Sequence, residues 1–112
     1  MEAIAGIESS EQDGDIVVIG SGELDLYSVS ELNGQLTMAV ESGRSVVVDL
    51  TSAKFIDSAV LGCILVASKS LGKHGKRMKV IVAAESHPLH VIEEVGFGSI
   101  MDIVVKDPLY DG

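Results

Sequence analysis

Asp57 and Ser58 lie between a predicted loop, Thr51–Ile56, and a long apolar helical pattern. Serine is a favoured N-cap residue, and the Ser58 hydroxyl would accept a hydrogen bond from an amide near residue 60 or 61, worth about 1 kcal/mol. The same position suits a phosphoacceptor, because the free amides and positive end of a helix stabilise negative charge by about 0.3–1 kcal/mol. A phosphoryl group would add about −1.5 to −2 charges there without melting the helix. The residue types leave both interpretations open.

The cysteine and the histidines do not form a second chemical site. Cys63 falls early in the same apolar helix, which predicts a small core residue rather than a redox centre. His74, His87 and His90 are scattered among loop and helix-end positions, and none forms a nucleophile–base pattern with Ser58. No His, Cys and Asp residues have the spacing of a metal site. We therefore predict a protein that is not an enzyme and that needs no cofactor or metal.

A hairpin is predicted at the start of the chain. Ile4–Ile7 and Ile16–Ile19 are short apolar runs, and the residues between them, 9–15, are rich in turn formers. This arrangement predicts two strands joined by a loop of several residues. Gly20-Ser21-Gly22 is expected to end the second strand.

The rest of the chain alternates between helical and strand patterns. Ser28 and Glu31 match a capping box, and the apolar spacing that follows predicts a helix over about residues 29–42. The remaining predicted elements are a buried strand at Ser45–Leu50, a helix at Ser58–Leu71, a strand at Val80–Ala84, a short helix from Pro88 to Val95 and a strand at Ile100–Val105. The order ββαβαβαβ predicts one α/β domain with a mostly parallel sheet flanked by helices. Its core is expected over about residues 3–105, with a short polar tail at 106–112.

Composition and charge restrict the function further. With 112 residues, 46% hydrophobic but only 4% aromatic, the chain has enough apolar residues for one aliphatic core. One cysteine, no signal peptide and no bilayer-length apolar run predict a soluble cytoplasmic protein. The net charge is −9, and residues 1–43 hold nine acidic residues and no lysine or arginine. This excess argues against nucleic-acid binding; it forms either a solvated face or a docking surface for a basic protein partner.

Basic residues cluster around the end of the second predicted helix. They complement the helix dipole and offset acidic residues elsewhere or, in a second interpretation, bind an anion or a lipid headgroup. The cluster consists of Lys69, Lys73, Lys76, Arg77 and Lys79.

Two segments resemble the recurrent motifs of STAS domains of the anti-sigma factor antagonist type. Residues 47–62, VVDLTSAKFIDSAVLG, are similar to the central signature of that family, an apolar strand followed by Asp-Leu-Ser/Thr, an apolar-Asp-Ser segment and a Gly-Leu-Gly helix opening. Residues 22–25, Gly-Glu-Leu-Asp, resemble the segment that precedes the first helix of the family. The two motifs have the expected order and separation, and the element order matches from about residue 3 to 105.

The resemblance implies a partner-switching cycle. Ser58 would be phosphorylated by a serine kinase that is also the anti-sigma factor, and the unphosphorylated chain would bind that kinase and release the sigma factor. A metal-dependent serine phosphatase would reset the switch. Asp57 and Asp25 match the acidic neighbours of the phosphorylation site, with Glu23 close by. The ATP and magnesium belong to the kinase, and the antagonist needs neither.

The sequence departs from the family pattern at two positions. Ala59 follows the acceptor where Ser or Thr is usual, and Val60 replaces the first glycine of Gly-Leu-Gly, whereas Gly62 matches the last. Glycine would let a partner's backbone approach closely, while Val60 adds a β-branched side chain. This is either harmless variation within a well-capped helix or a sign of a different partner set or slower phosphorylation.

Two other functions remain as rivals. A two-component receiver domain would use Asp49 as phosphoacceptor, Glu23 or Asp25 as metal ligands, and Lys106 before Pro108. The element count, the opening hairpin and the missing acidic pair at the end of the first strand oppose it. A non-phosphorylated STAS scaffold, as a subunit of a transport or stress-sensing complex, shares the same fold. The Asp57-Ser58 pair favours the switch, and Val60 leaves the scaffold possible.

Overall fold

The computed structural model describes residues 5–107. The five strands are β1 (Gly6–Gln12), β2 (Asp15–Leu24), β3 (Val46–Ile56), β4 (Lys79–Ala83) and β5 (Asp102–Lys106). The three helices are α1 (Val29–Glu41), α2 (Ser58–Gly72) and α3 (His87–Val95), and short 3-10 turns span Leu26–Ser28 and Phe97–Ser99. The predicted order ββαβαβαβ is confirmed. Lys106 belongs to the last strand, whereas residues 1–4 and 108–112, with the predicted strand start and most of the predicted tail, lie outside the described residues.

The opening hairpin is tighter than predicted. β1 pairs antiparallel with β2 from Gly6↔Ser21 to Gln12↔Asp15. Only Asp13 and Gly14 connect them, with φ angles of 52° and 87°. Positive φ at both central residues is what a two-residue hairpin turn needs, and Asp-Gly is a favoured pair for it. The predicted loop over 9–15 was therefore wrong, because its polar residues are the exposed part of an edge strand.

The strands β2 and β3 are longer than predicted. β2 continues through Gly20-Ser21-Gly22 with register shifts against β3, and the predicted loop Thr51–Ile56 is the second half of β3. A Cβ added to Gly20 would lie 2.7 Å from Leu24 Cδ1, so the glycine lets the core close without interrupting the strand. The two strands end side by side, at Leu24 and Ile56.

All three helices lie on one face of the sheet. The strand order is β1-β2-β3-β4-β5, with every pair after the hairpin parallel. Right-handed crossovers that step in one direction place their helices on the same side. The core accordingly combines alternate strand residues with helical side chains, including Val18, Val48, Val80, Leu36, Ile64 and Ile92. We call the opposite side the open face. Within residues 5–107, none of the helices has the length and apolarity that crossing a membrane requires.

The predicted capping box at Ser28 was wrong. Ser28 makes no side-chain cap bond to α1. It closes the preceding 3-10 turn instead, where Asp25 is the N-cap and the Ser28 hydroxyl accepts from the Asp25 amide at 3.4 Å. The 3-10 turn takes the place of the expected helix start, because it already presents its last residue to α1 in a helical conformation.

Candidate functional site

The segments that contain Asp25 and Asp57 lie side by side at the carboxyl edge of the sheet. The Asp57 amide donates to the Leu24 carbonyl at 3.2 Å, which joins the first residue after β3 to the last residue of β2. Asp25 follows Leu24 directly and Ser58 follows Asp57. The parallel pairing of β2 and β3 thus brings together the two segments that the sequence motifs had singled out.

Asp57, not Ser58, caps α2. The Asp57 backbone is extended, with φ −104° and ψ 179°, and its Oδ1 accepts from the Val60 amide at 3.1 Å. The N-cap interpretation of Ser58 was therefore wrong, since the chain leaves the strand one residue earlier and the carboxylate fills the acceptor role. Ser58 is the first helical residue and is exposed, and within residues 5–107 its hydroxyl has no hydrogen-bond partner.

Replacing Asp57 separates its capping role from its charge. Asp57→Ala removes the acceptor for the Val60 amide and is expected to lower the free energy of unfolding by about 1 kcal/mol. Asp57→Asn keeps an oxygen acceptor and should lower the free energy of unfolding by at most a few tenths of a kcal/mol. Urea denaturation of the two variants against the parent chain measures the difference, and equal losses would contradict the capping role.

Asp25 lines an acidic cavity between the end of β2 and the start of α1. Its Oδ1 accepts from the Tyr27 amide at 2.9 Å, which holds the 3-10 turn. The cavity is open and has a volume of about 390 Å³; its lining residues are Ala5, Ile7, Glu23, Asp25, Tyr27, Ser28 and Glu31. Tyr27 is 92% exposed, and Leu26 beside it is 65% exposed. The site therefore combines carboxylates with an exposed aromatic ring and an exposed leucine.

The residues after Ser58 divide between core and surface. Val60 is fully buried in the hydrophobic core, so its side chain adds no bulk to the surface around Ser58. Ala59 is half-buried. Gly62 lies one turn after Ser58, and a Cβ added there would meet nothing within 4 Å. Neither Val60 nor Gly62 therefore adds a protruding side chain beside Ser58, and the steric reason to expect a different partner set at Val60 disappears.

His87 holds the segment before Asp57 in place. Its Nδ1 accepts from the Ile56 amide at 3.2 Å, and its ring stacks on Phe55 with the centroids 4.6 Å apart. The sequence interpretation placed His87 among scattered histidines and missed this role. A separation of 31 residues between donor and acceptor leaves no local signal for it.

His87→Ala is expected to lower the free energy of unfolding by about 2 kcal/mol, because it leaves the Ile56 amide without its acceptor and removes the stacked ring. His90→Ala is the matched control on the same helix. His90 is exposed and pairs only with Glu94, at 3.3 Å, so its loss should cost less than about 0.5 kcal/mol. Thermal melts of both variants check the difference, and equal losses would contradict the proposed role of His87.

Cys63 has a packing role. Its thiol points to the Val29 carbonyl, with the sulfur 3.9 Å from the oxygen, and so joins α2 to α1. Burial raises the pKa of the Cys63 thiol above its ordinary value. The thiol therefore stays protonated at neutral pH, which makes it a poor nucleophile.

One member of the basic cluster, Arg77, is bound within the fold. Arg77 binds the Asp102 carboxylate at 2.6 Å and also donates to the carbonyls of Gly98 and Met101, which fixes the chain before β5. Lys69 lies in the last turn of α2, as the dipole interpretation expects. Arg77 thus has a structural role.

Asp49 lacks the position that the receiver rival needs. It lies in the middle of β3, opposite Ile19 and Ile81, rather than at the carboxyl end of a strand. Its Oδ1 accepts from both the amide and the hydroxyl of Thr51, at 2.9 and 2.7 Å. Within residues 5–107 no group of three or more His, Cys, Asp or Glu side chains is placed to hold a metal ion.

Comparison with known proteins gives a consistent result. The STAS domain family model matches residues 6–111. An anti-sigma-B factor antagonist of Staphylococcus aureus is 34% identical over 76 residues, which cover 67% of this chain and 70% of the relative. An anti-sigma factor antagonist from Mycobacterium paratuberculosis has a similar structure, with a TM-score of 0.83, 21% identity and coverage of 93% and 90%. The phosphorylated form of the Bacillus cell fate determinant SpoIIAA gives a TM-score of 0.63 at 20% identity, with coverage of 90% and 91%.

Proposed function

The chain belongs to the STAS domain family of anti-sigma factor antagonists, and we propose that it acts in the cytoplasm as a binding switch controlled by phosphorylation of Ser58. In the unphosphorylated state it binds an anti-sigma factor that is also a serine kinase, and the sigma factor is released. The observation that carries the proposal is the exposed hydroxyl of Ser58 at the first position of a fifteen-residue helix. Among residues 5–107 this hydroxyl has no hydrogen-bond partner.

The start of α2 suits a phosphoryl group. The first amides of a helix have no partner within the helix, and the Asp57 carboxylate takes only that of Val60. Among residues 5–107 the amides of Ser58 and Ala59 have no other partner, so they remain for a phosphoryl group on the same turn, where the helix dipole also stabilises negative charge. The fold has no reason to change, because the cap of α2 is on a different residue.

The docking surface explains how a phosphoryl group would end binding. Gly62 has no side chain and faces open space one turn after Ser58, so a partner can pack closely against both residues. A phosphoryl group on Ser58 would overlap with that partner and would also have to lose its hydration. Around this centre, the carboxylates of Glu23, Asp25 and Asp57 favour a partner with a basic surface.

The remaining components belong to the partners. ATP and magnesium bind the kinase, a serine phosphatase removes the phosphoryl group, and the chain itself contributes only the acceptor and the docking surface. Val60 does not oppose the switch, since its side chain lies in the core and not on the docking surface.

The proposal is tested by reconstitution with an anti-sigma factor kinase and its sigma factor from the same organism. Unphosphorylated chain should displace the sigma factor from the kinase in sedimentation or native gels. After incubation with ATP and magnesium, mass spectrometry should find one phosphoryl group on Ser58, and displacement should stop. A chain that is never labelled and that leaves the kinase–sigma complex intact would instead support the scaffold function.

A further inference from the structure

The backbone of β5 is unpaired on one side. β5 is the last strand of the sheet formed by residues 5–107. The Asp102 amide donates to the Met78 carbonyl at 2.9 Å, and the Lys106 carbonyl accepts from the Ala84 amide at 2.8 Å, so the backbone groups of these residues point inward. The backbone N–H and C=O groups of successive residues in a strand point to opposite sides. The N–H and C=O groups of Ile103 and Val105 therefore point away from the sheet. They are free to pair with another strand.

Apolar side chains surround this edge. Val104 is 38% exposed and Val105 is 50% exposed. On the helix side, Ile103 and Val105 line an open groove of about 560 Å³ together with Leu89 and Ile92 of α3. An exposed apolar edge strand is a ready site for strand pairing.

The other edge of the sheet is protected. β1 is exposed from Glu8 to Gln12 and carries only polar or charged side chains there, with Glu11 bound to Arg44. Polar and charged residues are the usual means by which an edge strand avoids pairing. The contrast between the two edges singles out β5.

We propose that β5 pairs antiparallel with β5 of a second copy of this chain, about a two-fold axis at Val104. The sequence of β5, Asp-Ile-Val-Val-Lys, is complementary to itself in this register. Asp102 of each copy faces Lys106 of the other, Ile103 faces Val105, and Val104 faces itself. The Asp102 carboxylate is 55% exposed even with Arg77 bound, so it can accept a second cation.

The backbone agrees with the same register. Ile103 and Val105 point outward, and in the proposed pairing they form the hydrogen-bonded pairs between the copies. Val104 would then form a non-hydrogen-bonded pair with Val104 of the other copy, in which the two Cα atoms are about 4.5 Å apart. The interface is closed by its two-fold axis, whereas β5 pairing with β1 of the next copy would produce open filaments.

Cysteine cross-linking tests this register directly. In a Cys63→Ala background, Val104→Cys places two thiols across the axis, and mild oxidation should link the copies rapidly into a disulfide dimer. Val105→Cys is the matched control, since Val105 is more exposed but faces Ile103 of the other copy. We expect at least tenfold faster linking at Val104 than at Val105.

Sedimentation equilibrium between 10 and 500 μM completes the test. The parent chain should show a monomer–dimer equilibrium, and Val104→Lys should shift that equilibrium at least tenfold toward monomer. Met38→Lys, which introduces a lysine at an exposed position of α1, should leave the equilibrium unchanged. A monomer throughout the range, filaments, or linking at Val105 as fast as at Val104 would each overturn the proposal. These outcomes do not depend on the kinase, so they are separate from the test of the switch.

Discussion

Ser58→Ala is expected to abolish labelling of the chain by its partner kinase, and Ser58→Asp is expected to weaken kinase binding about 100-fold, or about 2.7 kcal/mol. The first effect follows because the variant has no hydroxyl at the only position that both the motif and the exposed helix start identify. The second follows because a partner packed against Ser58 and Gly62 would have to accommodate a larger, charged side chain and remove its hydration. Labelling is measured with ATP and mass spectrometry, and binding by calorimetry.

Ser45 provides the matched control. It is an exposed serine just before β3, whereas Ser58 lies just after β3, so the eleven-residue strand separates the two positions. Ser45→Ala should be labelled normally, and Ser45→Asp should bind the kinase as the parent chain does. Full labelling of Ser58→Ala would contradict the assignment of the acceptor. Equal weakening by the two aspartates would show that net charge, not the position of Ser58, controls binding.

Val60→Gly is expected to destabilise the fold by about 3 kcal/mol without impairing labelling of Ser58. The substitution introduces the glycine that the motif has at this position, but in this chain it removes a side chain that is fully buried in the core. Burial of a valine contributes about 1.5–3 kcal/mol, and a glycine within a helix adds a further cost. The midpoint of thermal unfolding should fall by about 12 °C or more.

Val66→Gly isolates the contribution of burial. Val66 lies in the same helix but is 61% exposed, so its replacement should cost less than about 1 kcal/mol. Circular dichroism melts give both losses, and the difference between them measures the packing of Val60. Equal losses would contradict the placement of Val60 in the core. A gain in kinase affinity for Val60→Gly, after correction for stability, would support a docking role that the burial of the side chain opposes.

The sequence by itself predicted the element order, the three helices and the two segments that form the site. These features have local causes. Apolar residues at helical spacing mark α1 and α2, β-branched runs mark the centres of β2 and β3, and Gly96 ends α3 in a left-handed conformation. The motif at 22–25 and the Asp57-Ser58 part of the motif at 47–62 lie at the carboxyl ends of β2 and β3, and parallel pairing brings strand ends of the same type to one edge.

Only the tertiary structure decided how these residues divide their roles. Strand pairing extended β2 through Gly20-Ser21-Gly22 and β3 to Ile56, because hydrogen bonds to a neighbouring strand override a local turn signal. The length of β3 made Asp57 the cap and left Ser58 free. The orientation of α2 against the sheet placed Val60 in the core, and the packing of α3 brought His87 to the Ile56 amide. Each of these outcomes depends on residues distant in sequence, and local pattern contains no information about such contacts.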